Sequence, residues 1–514
     1  MTARASGHVR PTGARRSWWL REALAAEAAA DPGLASPDAA PPLRGTTTAD
    51  VAIVGGGYTG LWTAIRIAEQ APGARVVLLE SDICGGGPSG RNGGFATGWW
   101  DELPTLIERH GVSGAHAAAL AIDDAVDEIG TWSAANGVDA WYTRRGTLSV
   151  SAAPAQDDKW VEAVAACAAT GYGDRYQSLD PQAVQARVAS PVIRAGAFMP
   201  VAATIQPAVL ARGLRRVALE RGVVIHEGTR VEELDGERPG WLGSIGSGGR
   251  RAPAGKTGRP VRIRTSSGDG PGEVIAGSAV VGMNAWAAAW PSFGRRLVTW
   301  SSYIVLTEPI PDRLEAIGWT GGEGLADARF TLHYLRTTRD GRIAIGGGGG
   351  RAGFGGRIGA VFTDDATATA RAEAGLRRLF PSLRGVRIED AWGGPIDISA
   401  DHLPSIGTVP GRPIHVAQGY SGNGVAPSLV AGRALAGLAL ATEPVGLAPE
   451  AAEALVGGRA RAFPPEPFRY LGARVIREAI VRREAIEERG ETAGPVLREI
   501  TRLPRRLGYH LSPD

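Results

Sequence analysis

The sequence predicts a mixed α/β fold whose first ordered domain binds a nucleotide beside a parallel strand. Three observations lead to this prediction: an uninterrupted apolar run, a glycine-rich turn directly after it, and an amphipathic helix directly after the turn. They occur together in "ADVAIVGGGYTGLWTAIRIAE", residues 49–69. A run of β-forming residues such as Val51 to Val54 is typical of a parallel strand that is buried on both faces.

The glycines of this turn have the spacing of a dinucleotide-binding site. Gly55, Gly57 and Gly60 match the pattern GxGxxG. The first glycine permits a tight turn, the second lets the backbone approach a pyrophosphate, and the third lets the helix pack closely against the strand. Tyr58 and Thr59 stand at the start of the helix, where free N–H groups and the positive end of the helix dipole attract phosphate.

A second apolar run, from Val76 to Leu79, ends in an acidic residue. This residue, Glu80, follows Gly60 by 20 positions, where a carboxylate that binds a ribose hydroxyl is expected. Strand, glycines, helix, second strand and terminal acid in this order favour a Rossmann-like nucleotide-binding domain. The alternative is a glycine turn with a purely structural role.

The composition is that of an ordinary globular protein. Hydrophobic residues make up 44% and charged residues 21% of the 514 residues, and the formal net charge is +3, so we expect no nucleic-acid partner. Cys84 and Cys167 are the only cysteines; we therefore predict no disulfide framework, no metal site and a reducing, cytoplasmic location. No apolar run reaches the roughly 18–20 residues of a membrane span.

Two further glycine-rich segments favour FAD over a nicotinamide dinucleotide. The first, "SDICGGGPSGRNGGF", follows Glu80 and would lie over the centre of an extended cofactor with a buried ring. The second, "GYSGNGVAPSLVAGRALAGLA", leads into another helix N-terminus. A helix that starts at the N1–C2 edge of the flavin would stabilise the anionic reduced ring. The alternative is a plain turn with glycines for packing.

Several motifs resemble one known family. "VAIVGGGYTGLWTA", "GGGPSGRNGGF", "VVGMNAW", "DHLPSIG" and "GYSGNGVA" resemble the D-amino-acid-oxidase-type family of FAD-dependent oxidoreductases, which includes glycine, sarcosine and γ-glutamylputrescine oxidases. The segments "SWWLREAL", "SGRNGG" and "GWWDELPTL" most resemble the γ-glutamylputrescine oxidase and proposed aminophosphonate oxidoreductase branch. The resemblance covers roughly residues 17–445 and is more specific for fold and cofactor than for substrate.

The resemblance implies a Rossmann-like FAD-binding domain assembled from several chain segments and a substrate domain whose antiparallel sheet covers the flavin. We assign residues 47–100, 190–290 and 385–445 to the FAD-binding domain. We assign residues 101–189 and 291–384 to the substrate-binding domain.

Three segments are expected to lie outside the two domain cores. Residues 1–46 are predicted to be a flexible N-terminal arm with a short helix in "SWWLREAL", and residues 235–260 a flexible hairpin insertion. Residues 446–514 are predicted to be a helical extension. Its one convincing helix has an apolar stripe of Leu471, Val475, Ile476 and Ile480. We expect it to dock on its own protein or on a sister subunit in a homo-oligomer, rather than on a membrane.

The resemblance also assigns the cofactor contacts by position. The pyrophosphate would be cradled by Gly55, Gly57 and Gly60, with Tyr58 and Thr59 at the helix start. Glu80 would bind the adenosine ribose and Val231 would meet the adenine. The residues expected along the ribityl chain are Ser89, Arg91, Asn92, Gly93 and Gly94. The residues expected at the pyrimidine edge of the flavin are Gly422, Asn423, Gly424 and Val425.

The implied chemistry is oxidation of a C–N bond in a small primary or secondary amine, such as an amino acid, a polyamine derivative or an aminophosphonate. A hydride equivalent passes from the carbon beside a neutral amine to N5 of the flavin, and the imine hydrolyses to an aldehyde or oxo acid. The protein supplies orientation and ring electronics. Two alternatives stay open: an FAD monooxygenase or reductase that uses NAD(P)H, and a flavoprotein without turnover.

Several polar and aromatic residues are candidates for the substrate site. His333, and after it Asp397, are candidates for an acceptor that keeps the amine neutral; the alternative for His333 is a satisfied residue on one strand face. Arg336 is a candidate for binding an acidic substrate tail bidentately, the alternative being a solvated strand face. Four aromatic residues are candidates for a cage around the amine, although for any one of them packing in the core is the simpler explanation: Trp99, Trp100, Tyr303 and Tyr334.

The sequence departs from some relatives in two ways. Some attach flavin through His or Cys, but the loop here has Arg91 and no His, so we predict non-covalent FAD. Sarcosine-oxidase-like members use a lysine near the flavin to promote oxygen reduction. Here "TWSSYIVL" has Ser301 at about that position, which makes Ser301 a third candidate catalytic residue beside His333 and Asp397. We therefore expect either O2 or another electron acceptor.

Overall fold

The structure is a computed structural model that describes residues 16–240, 259–347, 349–458 and 461–509. The first fifteen residues of the predicted arm lie outside the described residues, as do positions 241–258 of the predicted hairpin insertion.

Helices and strands alternate along the chain, as the predicted mixed α/β class requires. The helices are α1 (Trp18–Ala30), α2 (Pro32–Ala35), α3 (Tyr58–Gln70), α4 (Leu103–Ala135), α5 (Val161–Ala169), α6 (Pro181–Gln185), α7 (Pro207–Glu220), α8 (Pro311–Ala316), α9 (Ala366–Leu379), α10 (Val425–Leu440), α11 (Pro449–Leu455), α12 (Phe468–Glu487) and α13 (Pro495–Arg506). The strands are β1 (Gly45–Val54), β2 (Val76–Leu79), β3 (Phe95–Thr97), β4 (Thr147–Ser151), β5 (Gln177–Leu179), β6 (Ala195–Met199), β7 (Ala202–Thr204), β8 (Val224–His226), β9 (Arg230–Leu234), β10 (Val261–Ser267), β11 (Gly270–Val281), β12 (Val298–Thr307), β13 (Gly324–Asp327), β14 (His333–Thr337), β15 (Ile343–Gly347), β16 (Ile388–Ile398), β17 (Ser405–Thr408) and β18 (Ile414–Gln418).

The first sheet has a parallel centre in the order β18-β11-β1-β2-β8. The last four residues of β1 are buried, as the uninterrupted apolar run predicts. Val54 pairs with Leu79 on one side and with Val281 on the other. The carboxyl ends of these three strands therefore meet at one edge, where α/β proteins bind their ligands.

The second sheet has the order β16-β12-β15-β14-β13-β4-β6-β5 and is antiparallel apart from the β4–β13 pair. It contains β6 and β16, which the sequence analysis assigned to the other domain. The predicted boundaries at residues 190 and 385 therefore do not coincide with the division between the sheets. Pairing partners far apart in the chain, such as Ser302 and Gly394, decide which sheet a strand joins.

The predicted short helix in the N-terminal arm is present as α1, but this part of the arm is not flexible. Trp19 and Leu20 are fully buried, and Ser17 caps the helix by accepting from the N–H of Leu20 at 3.1 Å. The Arg212 guanidinium of α7 pairs with Glu27 of α1 at 2.6 Å. A propensity-based reading misses this order because it comes from tertiary contacts rather than from local composition.

The C-terminal helix α12 docks on the second sheet's loops through charged residues. Glu484 accepts hydrogen bonds from the N–H groups of Phe330 at 2.6 Å and Thr331 at 3.1 Å. Of the predicted apolar stripe, Ile480 is buried, whereas Leu471 and Val475 are more than half exposed. The predicted stripe therefore packs against the protein at Ile480 but not at Leu471 or Val475. Within the described part of the chain, each helix is too short or too polar to cross a bilayer.

We predict that His415 of β18 makes folding sensitive to acid. Burial lowers the pKa of His415 from 6.5 to about 4. Below about pH 6.5 the unfolded chain therefore binds a proton that the folded chain does not, and stability falls until the pH reaches about 4. Between pH 7 and pH 5 this histidine should contribute about 2 kcal/mol of the loss. Urea unfolding at both pH values should show a smaller loss for His415→Gln; equal losses would contradict the prediction.

Candidate functional site

A cavity of about 740 Å³ opens at the carboxyl edge of the first sheet. Segments from both sheets and from the loops between them line it. Twelve predicted cofactor residues are among the lining residues: Gly55, Gly57, Tyr58, Thr59, Glu80, Ser89, Arg91, Asn92, Val231, Gly422, Gly424 and Val425. The fold therefore brings predicted residues from distant parts of the chain to the same cavity. Their contacts with a cofactor stay a prediction.

Close backbone contacts shape the turn between β1 and α3. Gly55 has a φ of +111°, and a Cβ there would lie 2.5 Å from the carbonyl oxygen of Gly282. A Cβ on Gly60 would lie 2.0 Å from the carbonyl oxygen of Gly55. Gly60 does not line the cavity; it allows the close contact between helix and strand that the sequence pattern predicts.

The N-terminus of α3 faces the cavity, and its N-cap residue makes no side-chain hydrogen bond. Gly57 is the N-cap and has no side chain to offer. The Ser89 hydroxyl accepts from the N–H of Tyr58 at 2.9 Å, and a Cβ on Gly57 would lie at the same distance from that hydroxyl. Bare glycine backbone, a helix N-terminus and a hydroxyl together suit an anionic phosphate group.

Glu80 is held in place at the edge of the cavity by backbone donors. Its carboxylate accepts from the N–H of Gly56 at 2.8 Å and from the N–H of Asp82 at 2.8 Å. Burial raises the pKa of Glu80, and these hydrogen bonds oppose the rise. Val231 lines the same cavity. This arrangement suits the sugar and base of a nucleotide.

In the loop after Glu80, some residues line the cavity and others pack against neighbouring segments. The Arg91 guanidinium donates to the carbonyls of Gly86 at 2.9 Å and Gly393 at 3.1 Å, so it joins this loop to β16. Gly93 and Gly94 do not line the cavity. A Cβ on Gly93 would lie 2.7 Å from the Tyr334 ring, and one on Gly94 would lie 2.1 Å from a carbonyl oxygen.

A second helix N-terminus borders the opposite part of the cavity. Gly424 is the N-cap of α10 and provides no side-chain hydrogen bond, while Gly422 has a φ of +93°. Asn423 does not line the cavity; its side-chain oxygen accepts from the Thr97 hydroxyl at 3.2 Å. The positive end of α10 therefore faces the cavity through glycine backbone, as α3 does.

Asp397 holds this second turn together rather than lining the cavity. Its carboxylate accepts from the N–H of Gly419 at 2.5 Å, from the N–H of Tyr420 at 3.2 Å and from the Asn284 amide at 2.8 Å. Burial raises the pKa of Asp397 to about 7, opposed by these donors. Since its acceptor positions are occupied by protein groups, the prediction that Asp397 receives a proton from the amine is not supported.

His333 is enclosed on the far side of the second sheet. Its Nδ1 lies 2.8 Å from a carboxylate oxygen of Asp327, and a Cβ on Gly375 of α9 would lie 2.3 Å from the ring. It is not among the residues that line the cavity. The structure therefore does not support the prediction that His333 acts on the amine. The hydrogen bond of its Nδ1 fits the alternative, a satisfied residue on one strand face.

The predicted aromatic cage does not form. Trp100 donates to Asp123 at 2.9 Å and stacks on Tyr172 at 4.8 Å, and Trp99 is buried in the same core. The Tyr303 hydroxyl donates to the Val361 carbonyl. Tyr334 lies 5.7 Å from the ring of Phe95. These aromatic side chains lie in separate clusters because the strands and helices that carry them turn them to different sides.

Arg336 and Ser301 are also occupied by backbone groups. The buried Arg336 guanidinium donates to the carbonyls of Ile205 and Thr337, and burial lowers its pKa to about 9. Ser301 accepts from the N–H of Arg351 at 2.8 Å. Side chains alternate along a strand, so Ser302, whose hydroxyl lies 3.0 Å from that of Tyr334, occupies the other face. The predictions for Arg336 and Ser301 are not supported.

Sequence reasoning assigned no role to two groups of cavity residues. The first follows β11 and includes Gly282, Met283, Asn284 and Trp286; "VVGMNAW" was used only as a family motif, although its strand ends beside β1. The second is a glycine-rich segment of the substrate-side chain, Gly355 to Ala360 with Thr363 and Asp364. Its glycine density was the available signal.

The chemistry of the lining residues is that of a binding site for a large organic cofactor. Neither histidine nor cysteine occurs among the described residues that line the cavity. No group of three or more His, Cys, Asp or Glu side chains that could hold a metal occurs in the described ranges. Bare glycine backbone and two helix N-termini instead fit an extended dinucleotide.

Comparisons with known proteins agree with this fit. The family model DAO, described as FAD dependent oxidoreductase, matches residues 50–438. A probable oxidoreductase named OrdL from Rhizobium meliloti is 29% identical over 408 residues, covering 78% of this chain and 85% of that protein. The gamma-glutamylputrescine oxidoreductase of Escherichia coli is 28% identical over 406 residues, covering 77% and 84%.

A solved structure has the same fold. The crystal structure of glycine oxidase from Geobacillus kaustophilus aligns with a TM-score of 0.57 and 19% identity, covering 77% of this chain and 96% of that one. The predicted fold class, a Rossmann-like FAD-binding domain with a second, largely antiparallel sheet and a C-terminal helical tail, is confirmed.

We predict that Asp397→Asn destabilises the protein by about 1–3 kcal/mol, because one buried N–H donor would then face an amide nitrogen that cannot accept. Urea unfolding at fixed pH measures the change. Asp269→Asn is the control, since Asp269 pairs on the surface with Arg44 and should change stability by at most about 1 kcal/mol. Equal effects of the two substitutions would show that Asp397 does not hold the turn.

Proposed function

The chain belongs to the DAO family of FAD-dependent oxidoreductases, and we propose that it oxidises a C–N bond of a small primary or secondary amine. The observation that carries the proposal is a single cavity bordered by two helix N-termini, those of α3 and α10, whose N-cap residues are both glycines. One suits a pyrophosphate, and the other suits the electron-rich edge of a flavin. The substrate would be an amino acid, a polyamine derivative or an aminophosphonate.

Within this proposal FAD lies extended through the cavity. Glu80 and Val231 would bind its adenosine end, Gly57 and Ser89 the pyrophosphate, and Gly422 to Val425 the ring end. We further propose that the cofactor is held without a covalent bond. Support comes from the described lining residues, which include neither His nor Cys, and from the burial of Cys84 and Cys167.

FAD, when bound, supplies the oxidising power by accepting a hydride equivalent from the carbon next to the amine nitrogen. The chain's own residues orient and enclose the reactants. Asp397 fixes the turn that presents the N-terminus of α10, and Asn284 joins that turn to the strand edge at β11 through a 2.8 Å hydrogen bond. Arg91 ties the loop that follows Glu80 to β16. A proton acceptor for the amine is not assigned to any side chain.

The amine substrate and the electron acceptor rest on similarity. The gamma-glutamylputrescine oxidoreductase of Escherichia coli is named for a polyamine conjugate, which makes a γ-glutamylated or free polyamine the first substrate to test. Since Ser301 stands where some relatives have a lysine and is bonded to the Arg351 backbone, we propose that either O2 or another acceptor removes the electrons. A cytoplasmic location and a homo-oligomer stay predictions.

We predict that Gly57→Val abolishes retention of FAD, because the new side chain would fill the space beside the α3 N-terminus. FAD content after gel filtration, read from the flavin absorbance, measures the effect. Gly73→Val is the matched control, because a Cβ at Gly73 meets nothing within 4 Å. A Gly57→Val protein that folds and keeps its full FAD content would refute this placement of the pyrophosphate.

The reaction class is tested by anaerobic reduction of the bound flavin. The panel consists of glycine, sarcosine, D-amino acids, putrescine, its γ-glutamyl conjugate, aminophosphonates and NADPH. We expect one amine to bleach the visible absorption rapidly and NADPH to leave it unchanged. Bleaching by NADPH alone would contradict amine oxidation and favour a monooxygenase or reductase. If no compound bleaches the flavin, a flavoprotein without turnover would be favoured.

A further inference from the structure

The segment from Gly353 to Asp364, here called the wall loop, forms one side of the cavity. It connects β15 to α9 and contributes eight of the lining residues. At its centre Gly355 and Gly356 have φ angles of +61° and +73°, and a Cβ on Gly356 would lie 2.5 Å from the backbone of Ala288. The wall loop thus contains a left-handed turn that packs against Ala288 in the segment after β11.

A buried carboxylate from the C-terminal extension binds this turn. Glu466 accepts from the N–H of Gly355 at 2.9 Å and from the N–H of Tyr470 at 3.1 Å. Its side chain has no exposed surface. The Tyr470 ring also contacts Phe354 of the wall loop, edge to face at 5.5 Å. One residue outside the family match, which ends at position 438, therefore touches the wall of the cavity.

The charge of Glu466 is balanced by a partner that is itself anchored. Arg469 lies 2.8 Å from the Glu466 carboxylate and donates to the carbonyls of Gly294 at 2.5 Å and Leu297 at 3.0 Å. These carbonyls belong to the chain between β11 and β12. Breaking a buried ion pair by removing one partner is costly, since the remaining charge loses its compensation. The pair therefore joins three segments rigidly: the extension, the wall loop and the β11–β12 connection.

We propose that Glu466 is a positioning residue of the cofactor site, holding the wall loop against the cavity so that bound FAD is retained. This inference rests on the proposed placement of FAD in the cavity. The C-terminal extension then contributes to FAD retention, because its residues hold the wall loop in position. Its contact with the loop is made by the buried side chain of Glu466 and by Tyr470, which lies in the first turn of α12.

The test compares two buried carboxylates of the extension in the full-length protein. Glu466→Ala removes the contact with the wall loop. Glu484→Ala is the matched control, because Glu484 is also buried and accepts backbone N–H groups, but from Phe330 and Thr331. We expect Glu466→Ala to release FAD about tenfold faster than the parent protein. We expect Glu484→Ala to release FAD at nearly the rate of the parent protein, although both substitutions lower the melting temperature.

A second readout follows the loop itself. Arg357 is exposed within the wall loop, so trypsin cleavage after Arg357 reports how firmly the loop is held. Cleavage after Arg44, which is remote from the loop, is the internal reference. Glu466→Ala should be cut faster at Arg357 both with and without FAD, and Glu484→Ala should not. If Glu466→Ala does not fold, Glu466→Gln replaces it, since the amide keeps an acceptor but loses the ion pair.

Parent-like FAD release and parent-like cleavage of the folded Glu466 variant would overturn the proposal. Equal changes in both variants would also overturn it, because they would reflect general destabilisation. Failure of the proposed function gives a different result: Gly57→Val would then retain FAD, while cleavage at Arg357 in the FAD-free protein would still respond to Glu466→Ala.

Discussion

Backbone-to-backbone contact at the end of β1 is the constraint on which the site depends. Gly55 lies against the carbonyl of Gly282, and Gly60 lies against the carbonyl of Gly55. No side chain fits between these groups, so α3 must begin directly at the strand edge, with its N–H groups open to the cavity. The neighbouring strand β11 is held close by the same contact. These two cavity-lining segments are therefore positioned by the absence of side chains rather than by specific side-chain bonds.

Around this edge, buried arginine–carboxylate pairs attach the segments that lie outside the two sheets. Arg212 and Glu27 attach the N-terminal helix, and Arg469 and Glu466 attach the start of the C-terminal extension. The basic residues of this chain are almost all arginine, whose planar guanidinium makes several directed hydrogen bonds at once. Such pairs give orientation more than net stability, because desolvation offsets much of the attraction.

Most residues that were predicted from backbone patterns line the cavity, whereas the candidate catalytic and substrate-binding residues, which were predicted from side-chain type, do not. Gly57, Glu80 and Gly424 line one cavity, as their local patterns predict. His333 and Ser301 lie on strands, as predicted, but neither lines the cavity. Successive side chains of a strand point to opposite faces, so the strand alone does not give a side chain's direction. The predicted aromatic cage is absent for a related reason: a cage requires that the four side chains point to the same place, and residue type alone does not give their directions.

By itself the sequence determined the nucleotide-binding strand, turn and helix, the mixed α/β class and the family. These are local features, since glycine spacing and an apolar run act within about 30 residues of chain. Only the tertiary structure decided that α1 is buried, that β6 and β16 belong to the second sheet, and that the wall loop is held by Glu466. The residues in contact are far apart in the chain: 52 positions separate Thr147 from Met199, and 111 separate Gly355 from Glu466. Their contact arises from packing and charge compensation, which leave no periodic signal in the sequence.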